Sequence, residues 1–130
     1  MHLNLNTHHN NSANTTLFDK YGGVCRVIKL VKSFQHEILL RPQLAQYFHG
    51  LDLAKITEHS ILYMSYALGK PFKVYTSREM HDSHSKFKIN GLHYDEIVDV
   101  LKDCLISDGF NDFDIKIVMS QLEKVRYIFV

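Results

Sequence analysis

The sequence predicts an all-α fold built as one domain. Apolar residues recur at three- and four-residue steps through most of the chain, the period of helices that turn one face to a core. No run alternates with period two over a useful length, and no internal repeat is present. Glycine, proline and capping residues fall where the helical runs stop. With 130 residues, 45% of them hydrophobic, the chain has material for one compact core and not for two.

The opening stretch MHLNLNTHHNNSANTT is polar, Asn-rich and aperiodic. It buries too little apolar surface to offset the entropy of ordering, so residues 1–15 are expected to be a mobile tail ahead of a domain spanning 16–130. Thr16, with Asp19 three residues on, resembles a capping box that opens a short helix, and Gly22-Gly23 stop it. From Val24 the positions Val24, Val27, Ile28, Val31, Phe34 and Ile38 give an amphipathic helix to about Leu40. Pro42 suits a first helical turn, and PQLAQYF reads as one or two turns ending at Gly50. Asp52 can cap the next helix, with Leu53, Ile56, Ser60, Tyr63, Met64 and Ala67 along one side until Gly69 and Pro71 end it. A loop, KPFKVY, follows, and Thr76 with Glu79 forms a second capping box that opens a short helix holding His81 and His84. Asn90 to about Ser107 and Asn111 to about Ile128 make two longer amphipathic helices, parted by Gly109 at a C-terminal cap.

Fifteen Lys and Arg against fourteen Asp and Glu leave a net charge of +1 with no long block of either sign, so nucleic acid is not expected as a partner. The first residues lack the basic-then-apolar profile of a secretion signal, and no apolar run is long enough to span a bilayer. A cytoplasmic protein without membrane association is expected. Cys25 and Cys104 each stand alone in a helical pattern, which excludes a metal–thiolate cluster and predicts two buried, reduced thiols. Nine histidines are many for this length, and His49, His59, His81, His84 and His93 lie in the central segment.

The stretch REMHDSHSK, residues 78–86, sets His81 and His84 three apart on a short helix, with Met80 four positions before His84. Met80 and His84 are about one turn apart and point the same way, whereas His81 lies roughly 60° around the helix. From the residues alone, His84 is either a ligand or a surface histidine beside Asp82 and Lys86.

Four segments, in order and with matching spacing, decide between these: LFDKYGG at 17–23, YFHG at 47–50, YALGKP at 66–71 and YTSREMHDSH at 75–84. From Leu17 to about Arg126 the chain resembles the truncated haemoglobins, and specifically the first of that family's three groups. The other two groups carry a tryptophan on the helix after the proximal histidine, whereas this chain has no Trp and places Ile97 there. The resemblance implies a two-over-two α-helical globin sandwich around haem b, iron protoporphyrin IX. It puts His84 at the proximal, iron-ligating position with Met80 packing under the porphyrin, and gives His81 no role beyond the haem rim.

On the distal side the resemblance implies a departure from the commonest pattern. Many members carry a tyrosine just after the phenylalanine of the second helix, whose hydroxyl donates to bound dioxygen. Here the pair reads Phe34-Gln35, and a glutamine amide can also donate. Tyr63 is a second candidate donor or plain core. Along LAKITEHSILYM the resemblance puts Ile56 where a ligand-gating side chain usually sits and His59 one turn later, where cyanobacterial and algal relatives coordinate the iron. Ile56 can neither bind metal nor donate a hydrogen bond. His59 is therefore the expected sixth ligand, the other reading being a histidine at the pocket mouth near a propionate.

By resemblance and periodicity, Phe34, Phe48, Tyr75, Met80, Phe87, Ile89, Tyr94 and Ile97 are expected around the porphyrin, with Leu101 and Val118 equally readable as ordinary core. Lys55, Lys73 and Arg78 are placed to meet propionates, or are simply solvated. Lys70 stands in place of a second glycine after the distal helix, and SKFK in place of a glycine-rich turn after the proximal histidine.

Three functions stay open. The first is a monomeric haem globin that reversibly binds or transports dioxygen and other diatomic gases, nitric oxide and carbon monoxide included. Conversion of nitric oxide to nitrate would then depend on an external reductase. The second is a bis-histidyl haem protein for electron transfer or redox sensing. The third is a haem-free helical domain that uses His59, His81, Asp82 and His84 for zinc or for a protein partner.

Overall fold

The computed structural model describes residues 16–70 and 88–130. The expected N-terminal tail, the KPFKVY loop from Pro71 on, the second capping box and the short helix of His81 and His84 lie outside the described residues. The elements are α1 (Leu17–Lys20), α2 (Gly23–Leu39), α3 (Pro42–Ala45) continued by a 3-10 turn (Gln46–Phe48), α4 (Leu53–Ala67), α5 (Gly91–Ser107), α6 (Asp112–Lys124) and α7 (Arg126–Phe129). The described residues contain no strand.

Local chemistry sets most of these boundaries. The Thr16 hydroxyl oxygen accepts the Asp19 N–H, and Asp52 accepts from Ala54 and Lys55. Asn90 accepts from Leu92, and Asn111 from Asp114. Each cap satisfies an N–H that the helix itself leaves without a partner, at about 1 kcal/mol apiece. Gly22 and Gly23 take φ of 113° and 71°, so the chain turns from α1 into α2 through a region that side-chain-bearing residues avoid.

α2 lies against α4 and α5 against α6, while α2 on α5 and α4 on α6 join the two pairs into the two-over-two arrangement. The core between them is drawn from Val27, Leu30, Val31 and Ile38 of α2, Met64 and Ala67 of α4, Leu101 and Leu105 of α5, and Ile115, Val118 and Leu122 of α6. Val24 begins the apolar stripe of α2 by periodicity, yet it is 48% exposed.

Asp114 ties the first turn of α6 to α1. Its carboxylate is only 3% exposed and accepts from the Lys20 ammonium at 2.7 Å and from the Tyr21 hydroxyl. The hydrogen bond from Lys20, followed by that from Tyr21, holds the Asp114 carboxyl below the usual carboxylate value. The Tyr21 oxygen in turn accepts the Asn111 N–H at 3.2 Å, and its ring stacks on Phe110 with centroids 3.7 Å apart.

Two expectations need correction. The last helix does not run unbroken to Ile128: Val125, at φ −108° and ψ 7°, separates α6 from α7. Long-range bonds hold the break. The Ile89 N–H donates to the Phe129 carbonyl at 2.9 Å, and Arg126 donates to the Gly91 carbonyl and the Asp95 carboxylate, each at 3.2 Å. The cysteines also divide, Cys104 being buried and Cys25 exposed, both as free thiols. Cys25 shares its helix face with Lys29 and Lys32, four and seven residues on, which is the solvated face of α2. Burial pushes the Cys104 thiol up from its ordinary value.

Candidate functional site

A cavity of about 160 Å³ opens between the helix pairs. Val31 and Phe34 line it from α2, and Tyr47 and Phe48 from the 3-10 turn. α4 contributes Ile56, His59, Ser60, Tyr63 and Met64. Ile89 and the α5 residues Tyr94, Ile97, Val98 and Leu101 face them, and Leu122 and Phe129 complete the wall.

The structure thus places Phe34, Phe48, Ile56, His59, Tyr63, Ile89, Tyr94, Ile97 and Leu101 around one space. His84, Met80, Tyr75, Phe87, His81, Lys73 and Arg78 lie outside the described residues. Val118 is wholly buried in the core rather than on the cavity wall, because its face of α6 is covered by the packed helices. Lys55 is exposed.

Gln35 is not on this wall. Its amide nitrogen donates to the Thr57 hydroxyl oxygen at 3.0 Å, joining α2 to α4. Thr57 Oγ1 stands 3.2 Å from the Gln35 carbonyl oxygen and 2.8 Å from the Leu53 carbonyl, and the shorter contact holds its single proton. One N–H of the donor expected to face a ligand is therefore held by a neighbour that periodicity does not reveal, and Gln35 instead lines a smaller pocket of about 20 Å³ beside the cavity.

Other polar groups at the cavity are also engaged. The Tyr47 oxygen accepts the Asn90 N–H at 3.2 Å and lies 2.6 Å from His93 Nδ1. The Tyr94 hydroxyl donates to the Leu122 carbonyl at 3.2 Å. Burial raises the Tyr94 phenol above its ordinary value, and the Tyr63 hydroxyl acts in the opposite sense. Phe129 meets the Tyr63 ring edge-on at 5.8 Å and stacks with Tyr94 at 5.7 Å.

The sequence reading passed over Tyr47, Val31, Ser60, Met64, Val98, Leu122 and Phe129 as site residues. Val31, Ser60 and Met64 already stand on the stripes of α2 and α4, and Val98 and Leu122 continue those of α5 and α6, so extending the period by one turn would have found the last two. Tyr47 adjoins Phe48. Phe129 carries no local signal, since it reaches the cavity only because the helix breaks at Val125.

An apolar space with phenylalanine and isoleucine walls suits a flat porphyrin, and the half-buried imidazole of His59 on the α4 side is a nitrogen donor that iron accepts. Among the described residues no group of three or more His, Cys, Asp or Glu could hold a bare metal ion.

The chain matches the bacterial-like globin family over residues 16–129. A group 1 truncated haemoglobin of Synechocystis sp. is 30% identical over 91 residues, covering 67% of this chain and 73% of the relative. One from Nostoc sp. is 25% identical over 112 residues, covering 86% and 94%. Among solved structures, the Fe(III) truncated haemoglobin of Tetrahymena pyriformis superposes with a TM-score of 0.77 at 23% identity, over 89% of this chain and 98% of that one. THB1 of Chlamydomonas reinhardtii gives 0.76 at 25% identity, over 89% and 97%. By sequence over nearly its whole length and by fold, the chain belongs to the bacterial-like globins and is a group 1 truncated haemoglobin, a haem-binding globin.

Proposed function

We propose that this globin binds diatomic gases, dioxygen, nitric oxide and carbon monoxide, at a haem b held by His84, with His59 as the internal ligand that occupies the sixth position when no gas is bound. It acts as a monomer in the cytoplasm. The observation that carries the reading is the position of His59, half-buried on the α4 wall of an apolar cavity, beside Ile56, which offers a ligand neither a donor nor a lone pair. Bound there, the haem supplies an iron that takes gas ligands and cycles between ferric and ferrous states. The chain's own residues do the rest. Phe34, Phe48, Ile97 and Leu101 exclude water and clamp the ring, and the Tyr47 and Tyr94 hydroxyls are spent on His93, Asn90 and Leu122 rather than on a ligand.

An internal ligand favoured by ~2–3 kcal/mol weakens external binding roughly 30- to 150-fold, because gas binds only the open fraction. The same position of His59 supports a second reading, in which the bis-histidyl state is itself the working state and serves electron transfer or redox sensing. Nitric oxide oxidation to nitrate requires an external reductase under either reading.

Absorption spectra of the ferric and dithionite-reduced protein test the proposal. Six-coordinate spectra are expected in wild type and five-coordinate spectra in His59→Ala. Protein that gains no Soret band with added haemin would end both haem readings, and an unchanged spectrum in His59→Ala would remove His59 as a ligand. Rapid mixing of the ferrous protein with carbon monoxide separates the two: binding held to the rate of His59 departure, too slow for gas exchange, favours the electron-transfer reading.

A further inference from the structure

α7 is a single turn of four residues that follows the break at Val125, and its N-terminus has no side-chain cap. A turn that short does not hold itself in water, so what it touches sets its position. Its contacts converge on the start of α5. Arg126 Nη2 donates to the Gly91 carbonyl and to the Asp95 carboxylate, each at 3.2 Å, one proton for each acceptor. The guanidinium lies 5.5 Å from the centre of the Tyr94 ring, within cation–π reach. At the other end of the turn the Phe129 carbonyl accepts the Ile89 N–H at 2.9 Å, and the Phe129 ring packs on Tyr94 and against Tyr63.

Ile89, Tyr94 and Phe129 all face the cavity, whereas Arg126 is not one of its lining residues. It stands behind the wall and fixes it. Gly91 is fitted to this contact: a Cβ there would stand 3.2 Å from Arg126 Nη2, so a larger residue displaces the guanidinium by a few tenths of an ångström. Hydrogen bonds already at 3.2 Å have little room to lengthen. The Asp95 side chain is 59% exposed, so its ion pair with Arg126 contributes less than the bond to the Gly91 carbonyl.

Resting on the haem-binding reading above, we propose that α7 is a latch for the haem and that Arg126 is the positioning residue that closes it. The guanidinium pins the turn across the start of α5, and so seats the Phe129 ring and the Ile89 main chain in the cavity wall. Haem leaves when the turn lifts. A one-turn element tied by a few bonds opens more readily than the long helices around it. Loss of the Arg126 bonds should speed that opening by about 3- to 10-fold.

The experiment is a variant series of the ferric haem-loaded protein, read by the rate of haem transfer to excess apomyoglobin. Arg126→Met should lose haem about 3- to 10-fold faster, with the absorption spectrum of the loaded protein unchanged, since no iron ligand is altered. Gly91→Ala, which keeps the charge and displaces it, should act in the same direction, and Asp95→Asn more weakly. Arg126→Lys should recover part of the slow release. Phe129→Ala should also lose haem faster, and Arg126→Met placed on it should add little, because the ring that the guanidinium seats is gone.

Hydrogen exchange in the haem-free protein gives a second reading. The Ile89 amide should exchange about 3- to 10-fold faster in Arg126→Met, with the amides of Val27 and Leu30 in α2 unchanged. Equally faster exchange at Val27 and Leu30 would show Arg126 serving the fold as a whole and would overturn the proposal. So would fully additive effects of Arg126→Met and Phe129→Ala on haem loss. Protein that takes up no haem fails the haem-binding reading itself, whereas loaded Arg126→Met and Gly91→Ala that release haem at the wild-type rate fail this inference alone.

Discussion

Replacing Tyr21 with phenylalanine removes one hydroxyl and keeps the ring that stacks on Phe110. The lost group donates to Asp114, a carboxylate 3% exposed, and accepts the Asn111 N–H. A hydrogen bond to a charged partner contributes about 1.5–3 kcal/mol, whereas the exposed Asn111 N–H regains water and adds little. The expected loss at neutral pH is therefore ~1.5–3 kcal/mol. With a urea slope of ~1–3 kcal/mol per molar, the midpoint should fall by about 1 M, read by far-ultraviolet circular dichroism on protein in one haem state. A double-mutant cycle isolates the pair: Tyr21→Phe in an Asp114→Asn background should cost about 1–2 kcal/mol less than in wild type. Additive losses would refute the account, showing that the hydroxyl stabilises α1 by some route other than Asp114.

Two further predictions test the same packing. Lys20, then Tyr21, depresses the folded-state pKa of Asp114, so its contribution is present above the ordinary value of 3.8 and is lost as pH falls through the lower folded value. The stability gap between wild type and Asp114→Asn, measured by urea titration, should be widest at neutral pH and close on acidification below 3.8; a gap independent of pH would contradict it. Leu105, 0% exposed, should cost ~2–5 kcal/mol as Leu105→Ala, while its neighbour Ile106, 52% exposed, should cost about 0.5 kcal/mol or less as Ile106→Ala, both by urea midpoint.

Much of the helix plan was legible because capping is local chemistry. Thr16, Asp52, Asn90 and Asn111 bond N–H groups two or three residues away, so their spacing alone marks where α1, α4, α5 and α6 begin. Six of the residues expected around the porphyrin, Phe34, Phe48, Ile89, Tyr94, Ile97 and Leu101, line one cavity together with Ile56, His59 and Tyr63, since the helical period that sets a face inward is also local. Cys25 shows the limit of that reasoning. An apolar-looking residue in a helical run is buried only if it falls on the covered face, and the face it shares with Lys29 and Lys32 does not.

The sequence by itself determined the helical class, most helix boundaries and the family, because periods, caps and motif order are properties of neighbours along the chain. Tertiary structure alone decided how the polar groups around the cavity are spent. Gln35 meets Thr57 across 22 residues, Tyr47 meets His93 across 46, and Phe129 enters the cavity because bonds to Ile89 and Gly91 stabilise a break at Val125. A hydrogen bond forms or fails over a few tenths of an ångström, and distances of that kind between remote residues are set only when the helices pack.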